Sequence, residues 1–157
     1  MRSVAVALCA LSTLLVSLLA APAALASGPR LDGRERAVVR VINRVRHQHG
    51  LARLHVGRRL SRAADLHSRE MLARDFFAHG AFAQRVRRFV PYRRLGENLA
   101  MTSRCSPRLV VRLWLRSAPH RHVLLSRSYR RVGVGRRTGR LGSRHACMWT
   151  ADFASRR

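Results

Sequence analysis

Lysine is missing from this 157-residue chain, and only seven residues are acidic. All 32 basic residues are therefore arginines, and the formal net charge is +25. Such a field attracts polyanions of every kind, whether nucleic acid, anionic lipid or an acidic wall polymer. The lack of Lys also fits codon bias in a GC-rich genome, which favours Arg whatever the function. The arginines are spread along the chain and not gathered in one tail, so specific nucleic-acid recognition is not expected. Non-specific, salt-sensitive anion binding is. Cysteine is scarce as well, with three residues and no C-x-x-C, which removes a zinc ribbon or a thioredoxin-type dithiol. H-E-x-x-H, G-x-S-x-G and a phosphate-cradling glycine loop are all absent, and Ser61, Ser117 and Ser126 have no nucleophile context.

What is present begins with an export signal. Arg2 gives a short positive start, an apolar run extends from Val4 to about Leu19, and Ala24-Leu25-Ala26 supplies small residues at a cleavage site. The run is too short and wrongly flanked for a membrane anchor, which needs ~20 apolar residues, and no later stretch is long enough. Residues 1–26 read as a signal peptide, 27–34 as a short leader and 35–154 as one domain. Cys9 sits too early, after Leu8, for a lipoprotein cysteine. Cleavage after residue 26 of 157 leaves about 131 residues, enough for one sizeable core. It also removes Arg2, taking +25 to +24. The expected product is secreted, without a transmembrane anchor, and monomeric. Outside the cell the surviving pair, Cys105 and Cys147, is expected to bridge; the alternative is two free buried thiols.

The periodicity predicts helices first. From Asp32, Val38, Ile42 and Val45 recur at helical spacing with Val41 beside them, and Gly50 ends the run. "LARLHVG" reads as a connector. From about Ser61 to Arg74, Leu60, Ala63, Ala64, His67 and Met71 form one apolar stripe. Residues 82–90 read as a short helical turn that Pro91 stops. Ser106 is a good N-cap and Pro107 fits the first position of a helix with Leu109, Val110, Leu113 and Trp114 on its apolar face. A break and another helical turn follow from Pro119. The last third alternates, in "RRVGVGRR" and "HACMWTADF", and predicts a two-stranded hairpin around "TGRLGS". Helices followed by paired strands give an α+β class.

Three groups carry candidate chemistry. His79 ends "FFAH", where two phenylalanines are expected to anchor the segment in the core. Glu97 lies in "LGENLA", one of the few acids and set in an apolar run; Gly96 permits close approach, and Asn98 can tie a turn to the backbone. His120 follows Pro119 in "SAPHRH". Three such groups at three loop-like breaks can converge on one cleft. The imidazoles of His79 and His120 could then hold a divalent ion such as Zn2+, with Glu97 as third ligand or as base toward bound water. His47, His49, His55 and His145 read as solvated or linking residues, His122 as a supporting or surface residue, and His67 on its apolar stripe as a satisfied core histidine.

Taken in order, "VVRVINRVRHQHGLARL", "LSRAADLHSREMLARDFFAH", "LGENLA", "VVRLWLRSAPHRHVLL", "RRVGVG" and "WTADF" resemble a bacterial CAP-domain protein, of the superfamily of cysteine-rich secretory proteins, antigen 5 and pathogenesis-related 1 proteins, also called SCP. The resemblance runs from about residue 35 to 154. It implies an α-β-α sandwich, a small antiparallel sheet flanked by helices, and a cleft lined by two His and two Glu. His79 matches the first His of that set and Glu97 the glutamate of the "GEN" motif. The rest departs: Ser117 stands at a position acidic in many eukaryotic members, Met148 replaces the second His of the eukaryotic pattern, and Ala151 follows Thr150 where Gln is usual. "SAPHR" resembles a bacterial "SP-x-HR", which makes His120 the second imidazole. The loop after His79 is shorter than in many relatives. Family members variously bind zinc, sterols or lipids, or act in defence or venom, and proteolysis has been proposed for some. Two readings stay open: a secreted or envelope-associated binding protein whose Arg surface holds anionic polymers or lipid head groups, and a metal-assisted, peptidase-like hydrolase using Glu97 with His79 and His120. Charge-driven, sequence-blind nucleic-acid binding is a third.

Overall fold

Asp32 starts the first helix as its sequence suggests. Its carboxylate accepts from the Glu35 N–H at 2.7 Å, and Glu35 accepts in return from the Asp32 N–H at 2.7 Å, a reciprocal cap that satisfies two otherwise orphaned donors. The computed structural model describes residues 31–155; the expected signal peptide and the first half of the leader, residues 27–30, lie outside them. Helix α1 runs over Gly33–Gln48, with Gly50 in the left-handed region just beyond it. Strand β1 (His55–Val56) precedes helix α2 (Arg58–Ala73), which starts three residues before the predicted one. Helix α3 (Phe82–Arg87) is the short turn expected there, and strand β2 covers Arg94–Thr102. Helix α4 (Pro107–Arg116) has Ser106 as N-cap and Pro in its first turn, as read from the sequence. Helix α5 (Ala118–Leu125) and the hairpin strands β3 (Arg131–Leu141) and β4 (Arg144–Ser155) complete the order.

The hairpin is the centre of a larger sheet. Its order is β1-β3-β4-β2, antiparallel except for the short parallel β1–β3 pair. Two elements differ from the sequence reading: "LARLHVG" contributes an edge strand, and "LGENLA" lies within a nine-residue strand where a loop-like break was expected. Backbone pairing explains the second, because nine consecutive residues of β2 lie in register with β4.

Side chains alternate across the sheet and so define its faces. Val132, Val134, Trp149, Ala151, Phe153 and Ala100 point to one side, into a core shared with Val38, Ile42, Val110, Trp114 and Leu124 of α1, α4 and α5. The opposite face carries Gly133, Gly135, Thr150 and Asp152 and receives α2. A Cβ on Gly133 or Gly135 would fall under 3.0 Å from α2 backbone atoms, so helix and sheet touch almost directly there. Helices thus lie on both faces, giving the α-β-α sandwich. Cys105 and Cys147 are bridged, with Cα atoms 5.4 Å apart, which ties the approach to α4 onto β4. Among the described residues no helix is long and apolar enough to cross a membrane.

Candidate functional site

Strand β2 is an edge of the sheet, so groups from both faces can meet along it. Glu97 sits on β2 opposite Asp152 of β4, both facing the α2 side. Its side chain is 1% exposed, and both carboxylate oxygens are engaged. Oε1 accepts from His79 Nδ1 at 2.8 Å, and Oε2 pairs with the Arg85 guanidinium. Because a carboxylate only accepts, Nδ1 carries a proton, and in the neutral ring Nε2 keeps the lone pair. The His79 side chain is half exposed while its Glu97 partner is sealed behind it.

The segment between α2 and α3 holds the imidazole in place. Asp75 and Gly80 both take positive φ, at 52° and 56°, and bracket it. Phe76 N–H reaches back to Met71 O at 3.0 Å, and the Phe76 ring packs against the Met71, Leu99 and Met148 cluster. Phe77 is 46% exposed, so one phenylalanine and not two anchors the segment. His67, buried on α2, donates Nε2–H to Ala78 O at 3.0 Å, one residue before His79. Burial and the nearby Arg85 charge hold His67 below the usual imidazole range, in keeping with a neutral ring.

Arg85, on α3, was not among the residues singled out from the sequence. It binds Glu97 through Nη2, donates Nη1–H to the His79 carbonyl at 3.2 Å, and lies 3.8 Å from Asp152 Oδ1. Asp152 was missed too. It is fully buried, neither oxygen accepts a hydrogen bond, and desolvation together with the Glu97 charge pushes its carboxyl well above the usual range. The only signal available was an acid alternating with apolar residues in "WTADF", scarce in a chain this basic.

His120 approaches from the other face. The Asn98 amide donates to the His120 carbonyl at 2.9 Å, fastening the start of α5 to β2 next to Glu97. Burial, then the neighbouring His79 imidazole, lowers the His120 pKa, so the two rings feel each other. Asn98 therefore does its tying between strand and helix and not within a turn. Gly96 keeps ordinary backbone angles; its role is space, since a Cβ there would meet the Tyr129 hydroxyl and ring.

A cleft of about 390 Å³ opens beside His79, walled by His67, Glu70, Phe76, Gln84, Arg85 and Arg88. Its rim is fixed by Arg74, which pairs with Glu70 at 2.8 Å and stacks over Phe76. Among the described residues no group of three or more His, Cys, Asp or Glu is placed to hold a metal ion. Zinc centres use three or four protein ligands. Glu97 is already committed to His79 and to a guanidinium whose positive charge opposes a cation. The side chains therefore do not fit a three-ligand zinc centre.

The chain as a whole matches a known family. The sequence model described as CAP, the cysteine-rich secretory protein family, matches residues 39–153. The chain belongs to the CAP family. Among curated proteins, this CAP chain is 31% identical over 107 residues to the uncharacterized protein YkwD of Bacillus subtilis, and 32% identical over 107 residues to the uncharacterized membrane protein YlbC of the same organism. The matches cover 64% of this chain but 41% and 31% of those proteins, so it spans less than half the length of either. Among solved structures, an extracellular protein containing a SCP domain from Bacillus anthracis superposes with a TM-score of 0.67 at 25% identity, over 82% of this chain and 45% of that one. An outer surface protein of Borrelia burgdorferi gives 0.68 at 18% identity, over 83% and 99%. The second likeness speaks for the CAP fold alone.

Proposed function

We propose that this CAP domain is an extracellular or envelope-associated binding protein that captures its ligand at the His79 cleft. The observation that carries this reading is the buried Glu97–Arg85 pair fixing a half-exposed imidazole. Three separate segments converge to hold one side chain at the mouth of a cleft, which is more positioning than a solvated histidine requires. The extracellular setting is supported by the pattern of residues 1–26, by the Cys105–Cys147 bridge, which needs an oxidising compartment, and by the likeness to an extracellular SCP-domain protein of Bacillus anthracis.

A divalent ion at this site would rest on His79 Nε2 and His120. Titrating the mature protein with zinc in a calorimeter tests it. One site per chain is expected, weaker than a three-ligand centre and lost in both His79→Ala and His120→Ala. No heat, or binding unchanged in the variants, removes the ion and leaves the cleft to an organic ligand.

The His79–Glu97 pair also supports a second reading, hydrolysis. A carboxylate that fixes the Nδ1–H tautomer leaves Nε2 free to take a proton from water or a hydroxyl. In that reading His79 is the base and Glu97 its positioning residue, since a carboxylate with both oxygens engaged does not reach substrate. Glu97→Gln is then expected to cut turnover of a peptide or ester substrate by at least ten-fold. A variant as active as wild type rejects the hydrolase.

A further inference from the structure

The outer face of α1 carries a feature the His79 cleft does not use. Arg36, Arg40 and Arg44 follow one another at i, i+4 spacing, all exposed. Like charges at that spacing weaken a helix, so the stripe costs stability where it stands. Two clefts, of about 260 and 360 Å³, lie along this stripe and share Arg40 and Arg44. His47 and Arg53 wall the first; Ser106 and Arg108 wall the second. No carboxylate lines either, and among the described residues Arg40, Arg44, Arg53 and Arg108 find no ion-pair or hydrogen-bond partner for their guanidinium groups. The N-terminal end of α4, positive by its peptide dipoles, opens into the second cleft, and the Cys105–Cys147 bridge fixes it there.

We infer that this double cleft is a binding site for a linear polyol-phosphate polymer, with successive phosphates held by Arg40, Arg44, Arg53 and Arg108. Guanidinium groups pair with phosphate oxygens in a bidentate fork, and a row of them along a trough suits a chain bearing one charge per repeat. The lining contains no Phe, Tyr or Trp, so it has no platform on which nucleic-acid bases stack. Two recesses flanking one arginine stripe can take a single polymer chain, whereas the flat surface of a bilayer does not enter them. The inference deepens the envelope association proposed above and rests on it, but places the anion site away from the His79 cleft.

Binding is measured on the purified oxidised protein at two or more salt concentrations, so a failure here is separate from a failure of export or of the His79 cleft. The probes are poly(glycerol phosphate), a single-stranded oligonucleotide of equal charge, and phosphatidylglycerol vesicles. Arg40→Gln/Arg44→Gln is compared with Arg58→Gln/Arg62→Gln, an equal loss of charge on exposed positions of α2. Both pairs sit on the solvent side of helices, and thermal melts confirm that the variants fold. We expect the α1 variant to weaken poly(glycerol phosphate) binding at least five-fold and to lower the salt slope by roughly 1 to 2, with the α2 variant within two-fold of wild type. Equal losses in both variants overturn the site and leave diffuse charge. Dependence on Arg40 and Arg44 that is stronger for the oligonucleotide or the vesicle overturns the polymer.

Discussion

Asp152 is the least expected side chain in the molecule: a carboxyl with no exposed surface and no hydrogen bond to either oxygen, Arg85 standing 3.8 Å off, across the ladder from Glu97. Two carboxylates this close, with one arginine between them, do not both ionise cheaply. Desolvation and the Glu97 charge raise the Asp152 pKa far above its ordinary 3.8, so the folded protein keeps a proton that the unfolded chain releases. The contribution is therefore favourable below about 3.8 and is lost progressively as pH rises toward the folded-state value. Asp152→Asn mimics the protonated form at every pH. Denaturant melts across pH 3 to 8 are expected to show the variant gaining on wild type as pH rises above 4, then holding a constant advantage. A difference that stays flat, or that favours wild type with rising pH, means that Asp152 is ionised in the fold. His67 and His120 act oppositely. Their pKa values are lowered, so they favour the folded state above 6.5 and disfavour it on acidification, and comparing the two proteins at each pH cancels their part.

At the scale of elements, the helices were legible because their signals are local. Asp32 with Glu35, and Ser106 with Pro107, are complete instructions within four residues. Strand β2 was not, because "LGENLA" becomes a strand only through pairing with β4, more than forty residues later. The candidate site follows the same division. His79 and Glu97 stood out from their neighbours and do form a pair, whereas Arg85 was hidden among 32 arginines and Asp152 acquires meaning only from the β2–β4 register. The sandwich itself depends on one such non-local fit. Gly133 and Gly135, read from the sequence only as part of an alternating pattern, let α2 lie against β3 with backbone touching backbone. Gly135→Ala places a methyl against the Ala64–Asp65 peptide, which can yield only if the helix moves. A loss of about 2–3 kcal/mol is expected from chemical denaturation. Gly33→Ala, where a Cβ meets nothing, is the matched control and is expected to stay within about 0.5 kcal/mol of wild type.

Across the whole molecule the imbalance of charge outweighs any single contact. The acids are already spent locally: Asp32 on Arg136, Asp65 on Arg137, Glu70 on Arg74, Glu97 on Arg85, Glu35 on the Asp32 and Arg136 N–H groups, Asp75 on the Gly142 N–H. No reserve of negative charge remains to offset the other arginines, and a chain of net charge +25 repels itself when compact. Salt acts on the two sets differently. The Glu97–Arg85 pair is mostly shielded from ions by burial, whereas the exposed arginines are screened within a Debye length of ~10 Å at 0.1 M. Added salt should therefore remove repulsion faster than it removes attraction. The melting temperature is expected to rise by several degrees between about 0.01 and 0.5 M sodium chloride, the reverse of a protein held together by surface ion pairs. A melting temperature that falls over that range would show that the surface pairs outweigh the repulsion. A flat response would mean that tightly bound counter-ions already neutralise the arginines, and the same neutralisation would weaken the salt dependence of polyanion binding at the α1 face. The two salt series, one of stability and one of binding, thus have to agree.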